Sequence, residues 1–265
     1  MTVACAATNR GGRWLHTLQI QVAKSAVVVV AALVLAACGS ADDQTQIRVS
    51  AASSLADVFA SLEVAFEEAH PGTDVVLNIA GSSLLREQII AGAPIDVFAS
   101  ASAEIMAEVE MAGFTEPEIG VFAQNHIEIA VPKGNPAGIG GLEDFERDEL
   151  LLGLCAAAVP CGVLAGQSFE AAGIDPMPDT NEPNVRSLLT KIEAGELDAG
   201  IVYITDVIAG DVDGIPIPRE LLSSAVYPAS RIVDSPNPSG GAEFLEFLFS
   251  DEAKAILFSH GFQSP

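Results

Sequence analysis

The sequence predicts an α/β protein. Short apolar strands alternate with segments whose apolar residues recur at helical spacing, and no internal repeat interrupts this alternation. A length of 265 residues allows one large domain or two smaller lobes, each with a core of its own. Hydrophobic residues make up 49% of the chain, which excludes an intrinsically disordered protein.

The first 37 residues are typical of an export signal. Three basic residues precede the uninterrupted apolar run Ser25 to Ala37, which is too short to span a membrane comfortably. The run ends at Ala37-Cys38-Gly39, which resembles a lipobox, so we expect Cys38 to be lipidated. An ordinary signal peptide with an incidental cysteine is the alternative. Residues 38–46 are small and polar and are expected to form a flexible tether.

The segment from 47 to 112 predicts three strand–helix pairs. The predicted strands are Ile47–Ala52, Val75–Ala80 and Ile95–Ser100, and the predicted helices are Leu55–Ala69, Leu84–Ala91 and Ala103–Ala112. The helix from Leu55 has a clear apolar face, and Ser53 or Ser54 is placed to cap it.

The segment from 126 onward continues the alternation. The predicted strands are His126–Val131, Leu152–Cys155, Ala199–Ile204 and Val226–Val233; the predicted helices are Pro160 to Ala172, Val185–Ala194, Ala242–Phe249 and Asp251–Ser259. The Pro-rich stretch Asp175 to Pro183 is predicted to be a loop.

Charge excludes several classes of partner. The whole chain has a formal net charge of −24, and nine basic residues face 36 acidic ones from Cys38 onward. So acidic a chain repels nucleic acid and anionic headgroups. We therefore expect no nucleic-acid partner, and membrane contact only through a lipid on Cys38.

One arrangement recurs along the chain: a strand ends, small hydroxylated or glycine residues follow, and a helix begins. It occurs at Ser53-Ser54, at Gly81-Ser82-Ser83 and at Pro160-Cys161-Gly162. Helix N-termini present unpaired N–H groups and a partial positive charge, so they bind anions. A single serine at such a place is usually only a helix cap. Several of them meeting at the carboxyl ends of strands would surround an oxyanion with donors.

Two cysteines remain beyond the lipobox. Cys155 and Cys161 are six residues apart, a spacing that suits a small disulfide loop in an exported protein. Two buried free thiols are the alternative. A metal site is disfavoured because no histidine lies nearby to complete a ligand set.

Several motifs resemble those of the molybdate-binding component of molybdate ABC importers, a family of two-lobed periplasmic substrate-binding proteins. The matching segments are Ala51 to Leu55, Ala80 to Ile89, Ala91 to Phe98, Val159 to Gly162, Asn184 to Arg186 and Gly200 to Asp206, with Tyr227-Pro228 and His260 to Phe262. The resemblance runs from about Ile47 to Phe262.

The resemblance implies a type II periplasmic-binding-protein fold, with mixed sheets flanked by helices. Lobe 1 would comprise 47–125 and 227–265, and lobe 2 would comprise 126–226. Two crossing strands, near His126–Val131 and Val226–Val233, would form the hinge. Asp96 and Asp206 are expected to be hinge or capping residues, and Arg86 and Arg186 helix-surface or interlobe ion-pair residues.

The resemblance also implies a ligand and a set of contacts. Molybdate or tungstate would bind between the lobes, through the hydroxyls and N–H groups of Ser54 and Ser82, the N–H groups of Cys161 and Val185, and the phenol of Tyr203. Cys161 stands where the family often has alanine, but only its N–H is needed. A dianion with four equivalent oxygens requires many donors and no acceptor. A protonated phosphate would leave its own proton without an acceptor, so such a site rejects it.

The implied function is extracytoplasmic: high-affinity oxyanion binding and delivery to an ABC permease, by a monomer anchored to the outer face of the cell membrane. No catalysis, cofactor or direct metal-cation ligand is expected. A receptor for another tetrahedral oxyanion such as sulfate is the alternative. An exported serine hydrolase is a remote one, since it needs a base, and the chain lacks a G-x-S-x-G elbow. A metal receptor or a structural lipoprotein is disfavoured by scarce histidines and by the anion loops.

Overall fold

The computed structural model describes residues 45–265. The predicted signal peptide, the lipidation site Cys38 and residues 38–44 of the predicted tether lie outside the described residues. Thr45 and Gln46, predicted as the end of the tether, instead begin the first strand. No helix within 45–265 is long and apolar enough to cross a membrane.

Strands and helices alternate as the sequence predicts. The strands are β1 Thr45–Ala52, β2 Thr73–Ala80, β3 Val97–Ala99, β4 Gly120–Pro132, β5 Leu152–Cys155, β6 Thr180–Glu182, β7 Ala199–Tyr203, β8 Val212–Ile215 and β9 Ser224–Arg231. The helices are α1 Ala56–Ala69, α2 Ser82–Ile90, α3 Ala103–Met111, α4 Pro160–Ala172, α5 Val185–Glu193, α6 Ile204–Ala209, α7 Pro238–Leu248 and α8 Asp251–Ser259.

The structure departs from the sequence prediction at short elements. The predicted loop from Asp175 contains the polar strand β6, which pairs in parallel with β5. Helix α6 and strand β8 were not predicted, because they have only six and four residues and follow β7 without a clear turn signal. The expected cap at Ser53 or Ser54 is wrong: both residues lie in a 3-10 turn before α1, and neither side chain caps it.

The strands of residues 45–265 form a mixed sheet in the order β2-β1-β3-β9-β4-β7-β5-β6, with β8 paired to β4. The long strand β4 divides it. Its first half, Gly120 to His126, is antiparallel to β9, and its second half is paired with β7 and β8. We call the strands β2, β1, β3 and β9, the first half of β4 and the helices α1, α2, α3, α7 and α8 the first segment. The second segment comprises the second half of β4, the strands β7, β8, β5 and β6 and the helices α4, α5 and α6.

Helix α1 anchors the core of the first segment. Its buried residues Val58, Phe59, Leu62 and Phe66 recur at three- and four-residue spacing, as the sequence predicts. Phe66 packs edge-on against two phenylalanines of α7, Phe244 and Phe247, with ring centroids 5.2 and 5.4 Å apart. Edge-to-face pairs of this kind stabilise a core by about 0.5–1.5 kcal/mol beyond their buried area.

Asp96 ties three parts of the first segment together. Its fully buried carboxylate accepts from the backbone N–H of Arg48 on β1 (2.6 Å) and of Asn237 before α7 (2.8 Å), and from the Ser235 hydroxyl (2.5 Å). It therefore fixes where β1, β3 and α7 meet, and it is neither a helix cap nor on the strands β4 and β9 that were predicted as the hinge.

We predict that Asp96→Ala destabilises the protein by about 3–5 kcal/mol, because it leaves buried backbone donors without an acceptor. Asp96→Asn, whose amide keeps one acceptor oxygen, should lose clearly less. Chemical denaturation of both variants measures the difference. Equal losses for the two would show that volume, rather than acceptor capacity, matters at this position.

Candidate functional site

A small pocket lies between the first and second segments, at the ends of strands β1, β2, β5 and β7. Its cavity volume is only about 10 Å³, about enough for the centre of one water molecule and far below the range of about 300–1,000 Å³ usual for drug-sized ligands. Its lining residues are Ala52, Ser53, Ser54, Gly81, Ser82, Ala101, Val159, Pro160, Cys161, Asn184, Val185 and Tyr203. All five residues predicted as oxyanion contacts are among them, and none of the lining side chains is charged.

Helix N-termini at this pocket lack side-chain caps. The N-terminal N–H groups of α2, of α4 and of the 3-10 turn at Ser53 donate to no capping side chain. Elsewhere, α3, α7 and α8 are each capped by a serine or asparagine. Helix α5 is intermediate, since Asn184 caps the N–H of Ser187 and leaves that of Val185. The pocket therefore collects the unpaired backbone donors that bind anions.

Tyr203 brings a phenol to the same pocket. It ends β7, only 1% of its surface is exposed, and its hydroxyl is buried with no hydrogen-bond partner among the described residues. Burial raises the pKa of this phenol well above its ordinary value, and the nearby Tyr227 and Asp206 raise it further, so it stays protonated. A buried hydroxyl without a protein partner is rare, so the Tyr203 hydroxyl is a donor that a ligand in the pocket would engage.

The two serine hydroxyls already accept or share hydrogen bonds from inside the protein. Ser82 Oγ accepts from the backbone N–H of Ala101, which follows β3, at 3.0 Å. Ser54 Oγ lies 3.0 Å from the phenol oxygen of Tyr227 on β9. Tyr227 entered the sequence prediction only as part of a matching motif, and its contact with Ser54 has no sequence signal because the two residues are 173 positions apart.

A disulfide joins Cys155, at the end of β5, to Cys161, in the first turn of α4. The turn between them is tight. A side chain on Gly162 would place its Cβ 2.1 Å from the carbonyl oxygen of Ala156, so only glycine fits there. The cross-link and the glycine together hold the backbone N–H of Cys161 at the pocket.

Several contacts cross between the two segments beside the pocket. Arg186 of α5 forms an ion pair with Asp57 of α1, and the Ser83 hydroxyl donates to the carbonyl of Ala158 at 3.0 Å. Gly81 faces the carbonyl of Pro183 so closely that an added Cβ would lie 3.0 Å from it. Arg186 therefore makes the expected ion pair across the segments. Arg86, in contrast, pairs with Glu87 and Glu108 within the first segment.

A sequence pattern described as a bacterial extracellular solute-binding protein matches residues 47–263 of this chain. The chain belongs to that family. Among curated relatives, it is 32% identical over 229 residues to the molybdate-binding protein ModA of Mycobacterium tuberculosis, an alignment that covers 86% of this chain and 88% of that protein.

Two solved structures share the fold. The periplasmic molybdate-binding protein of Azotobacter vinelandii superimposes with a TM-score of 0.74 at 19% identity, over 83% of this chain and 99% of that one. The sulfate-binding protein SubI of M. tuberculosis superimposes with a TM-score of 0.69 at 16% identity, over 83% and 87% of the two chains. These matches confirm the periplasmic-binding-protein fold and the family resemblance predicted from the motifs.

Membership of a solute-binding family agrees with a binding protein rather than an enzyme. Two serine–histidine contacts exist, Ser61 with His260 at 3.0 Å and Ser224 with His126 at 2.7 Å. None of these four residues lines the pocket, and no carboxylate among residues 45–265 is hydrogen-bonded to either histidine. Likewise, within the described part of the chain, no three His, Cys, Asp or Glu side chains are grouped to hold a metal ion.

Asp206 is a buried acid beside this donor set. Its Oδ2 accepts from the backbone N–H of Tyr203 at 3.1 Å, which is the capping role predicted as one alternative. Burial raises its pKa from 3.8 to about 7; Asp57 and Glu193 act in the same direction, while the Tyr203 N–H and Arg186 oppose them. The folded protein thus holds a proton on Asp206 that the unfolded chain releases at much lower pH.

We predict that this acid makes stability fall as the pH rises. With a folded pKa near 7 and an unfolded value of 3.8, its contribution is complete below 3.8 and is lost toward pH 7. Asp206→Asn keeps an acceptor for the Tyr203 N–H but does not titrate. Between about pH 5 and about pH 8, denaturation should show the variant gaining on the order of 2 kcal/mol relative to the wild type. Parallel pH profiles would contradict this assignment.

Proposed function

We propose that this protein binds molybdate outside the cytoplasm and delivers it to an ABC importer. The observation that carries the proposal is the pocket of neutral donors, in which the buried Tyr203 hydroxyl has no partner within residues 45–265. The names of the molybdate-binding relatives support the choice of ligand. Such a protein performs no chemistry on its ligand.

The proposed contacts come from both segments. Ser54 and Ser82 offer hydroxyl and backbone donors on the first segment, and Cys161, Val185 and Tyr203 offer two N–H groups and a phenol on the second. All five are at least 94% buried, so their hydrogen bonds to a dianion would form with little competition from water. No cofactor takes part, and molybdenum is held as its oxyanion rather than as a metal cation with side-chain ligands.

The same division supports two lobes that close on the ligand. We place the lobes at 47–125 with 227–265 and at 126–226, as the sequence suggests. In this proposal, β4 and β9 would pass from one lobe to the other near the paired residues His126 and Ser224. The Arg186–Asp57 ion pair would form only when the lobes are closed, so ligand and ion pair would favour the same state. A permease would then recognise the closed form.

Tungstate is included in the proposal because it has the same charge as molybdate and nearly the same size. Export, lipidation of Cys38 and attachment of a monomer to the outer face of the membrane complete it. The tether would hold the receptor near its permease, while the acidic surface keeps it from adhering to anionic headgroups.

We predict that the protein from Gln44 onward binds molybdate and tungstate one to one, and sulfate and hydrogen phosphate far more weakly. Isothermal titration calorimetry with the four anions tests this directly. Sulfate binding tighter than molybdate would move the protein to the sulfate receptors, whose fold it shares. No heat with any of the four would remove the proposed ligand class.

We also predict that Ser82→Ala weakens molybdate binding by about 1–3 kcal/mol, or about 5- to 150-fold, because a hydrogen bond to a charged group is lost. Ser61→Ala is a suitable control, since Ser61 contacts His260 away from the pocket. If both variants retain the wild-type affinity, Ser82 does not contact the ligand.

A further inference from the structure

We propose that the protein takes up a proton on Asp206 when it binds its oxyanion, and releases that proton when the anion leaves. Asp206 lies in the first turn of α6, and only 1% of its surface is exposed. The acid does not line the pocket, but it accepts a hydrogen bond from the backbone N–H of Tyr203, which does. The inference rests on the proposed oxyanion site and adds a coupled site for a proton beside it.

Within residues 45–265, Asp206 is a buried acid without a cation of its own. The positive charge that acts on it is that of Arg186 on α5, which forms its ion pair with Asp57 of α1 and none with Asp206. The Nε of Arg186 is buried and has no hydrogen-bond partner among the described residues, so it does not bond the acid either. A negative charge on Asp206 is therefore only partly compensated.

The other charged and titratable groups that act on this acid are negative or neutral. They are Asp57 on α1, Glu193 on α5, Tyr203 on β7 and Tyr227 on β9. Both phenols are neutral, because burial raises their pKa values above the ordinary value of tyrosine. Burial, aided by the two carboxylates, raises the pKa of Asp206 to about 7 against the Tyr203 N–H and Arg186. A change of charge nearby is then enough to change the protonation of Asp206 at neutral pH.

A bound dianion would supply that change. The charge of Asp206 acts on the phenols of both Tyr203, which lines the pocket, and Tyr227, which contacts Ser54 and Asn125. An anion held by Tyr203 would therefore lie close enough to repel the carboxylate, with little screening by water or salt. This repulsion raises the pKa of Asp206 further, so a proton is taken up. By linkage, the proton strengthens anion binding to the same extent.

Closure of the lobes would act in the same direction. Asp57 belongs to the first segment, whereas Arg186 and Asp206 belong to the second. In an open protein, Arg186 would lack its Asp57 partner and its charge would act on Asp206 alone, which favours the ionised acid. Closing on the anion pairs Arg186 with Asp57, and Asp206 then takes a proton from the solvent.

This coupling fixes the sign of the pH dependence. Molybdate is a dianion at neutral and alkaline pH, so its own charge does not change in this range. Below the value of about 7 for the free protein, Asp206 already carries its proton and the affinity is constant. Above it, binding of each anion requires a proton from solution. The affinity should therefore fall as the pH rises, by up to about tenfold per pH unit.

The test is calorimetric titration with molybdate at mildly alkaline pH in buffers of different ionisation enthalpy, which counts the protons taken up per anion. We expect at least about half a proton in the wild type. Asp206→Asn is neutral at every pH and keeps an acceptor for the Tyr203 N–H, so it should take up none. Its affinity should not fall as the pH rises, and at about pH 9 it should bind molybdate at least about fivefold more tightly than the wild type. A purely structural role for Asp206 predicts weaker binding at every pH instead.

Glu128→Gln is the matched control. Glu128 is a half-buried acid of β4 whose pKa is also raised by burial, but it does not line the pocket. This variant should keep the wild-type proton count. Molybdate binding by the wild type without proton uptake would overturn the inference, whether or not any variant folds, and so would undiminished uptake in Asp206→Asn. If the wild type binds no molybdate at any pH, the proposed function itself fails and the inference fails with it.

Discussion

Backbone N–H groups left unpaired at helix N-termini are the constraint that decides how the pocket of this protein is built. Every helix leaves such donors, and α3, α7 and α8 satisfy theirs with their own capping side chains. Of the helices that begin at the pocket, α2 and α4 have no capping side chain, and α5 is capped at the N–H of Ser187 but not at that of Val185. A buried N–H group that lacks an acceptor costs free energy. The tight turns, the disulfide and Gly162 hold these N–H groups at one place, where an incoming acceptor would satisfy them.

For a protein of net charge −24, anion binding would depend on short-range hydrogen bonds outweighing long-range electrostatic repulsion. Exposed charges farther than about 8–10 Å are largely screened at physiological salt. Donors inside a buried pocket act at hydrogen-bond distance and are not screened. The chain therefore needs no arginine or lysine at the pocket, and Arg186 beside it is engaged with Asp57 instead.

Most of the fold and of the pocket could be predicted from the sequence because the informative features are local. Strand, small residues and helix follow one another within a few positions, so the local pattern and the motifs suffice to place Ser54, Ser82 and Cys161 together. Asn125 and Tyr227 could not be placed in this way, since they meet across 102 residues and their amide and phenol have no local pattern. Strands β6 and β8 were not predicted, because strands this short show no periodicity in the sequence. They are recognised as strands only by their pairing with β5 and β4.

Around the pocket, the hydrogen bonds within the protein determine which polar groups remain available to a ligand. The Asp206 carboxyl accepts a hydrogen bond from the backbone N–H of Tyr203 at the end of β7. Of the two donors of Tyr203, only the phenol hydroxyl is therefore left for the pocket. The Ala101 N–H donates to Ser82 Oγ, which leaves the Ser82 hydrogen free for the pocket, and Ser54 Oγ lies at hydrogen-bond distance from the Tyr227 phenol oxygen. Groups behind the pocket thus hold these side chains in place by hydrogen bonds. An acidic protein can offer hydrogen-bond donors to an anion only where its carboxylates are kept away, and no charged side chain lines this pocket.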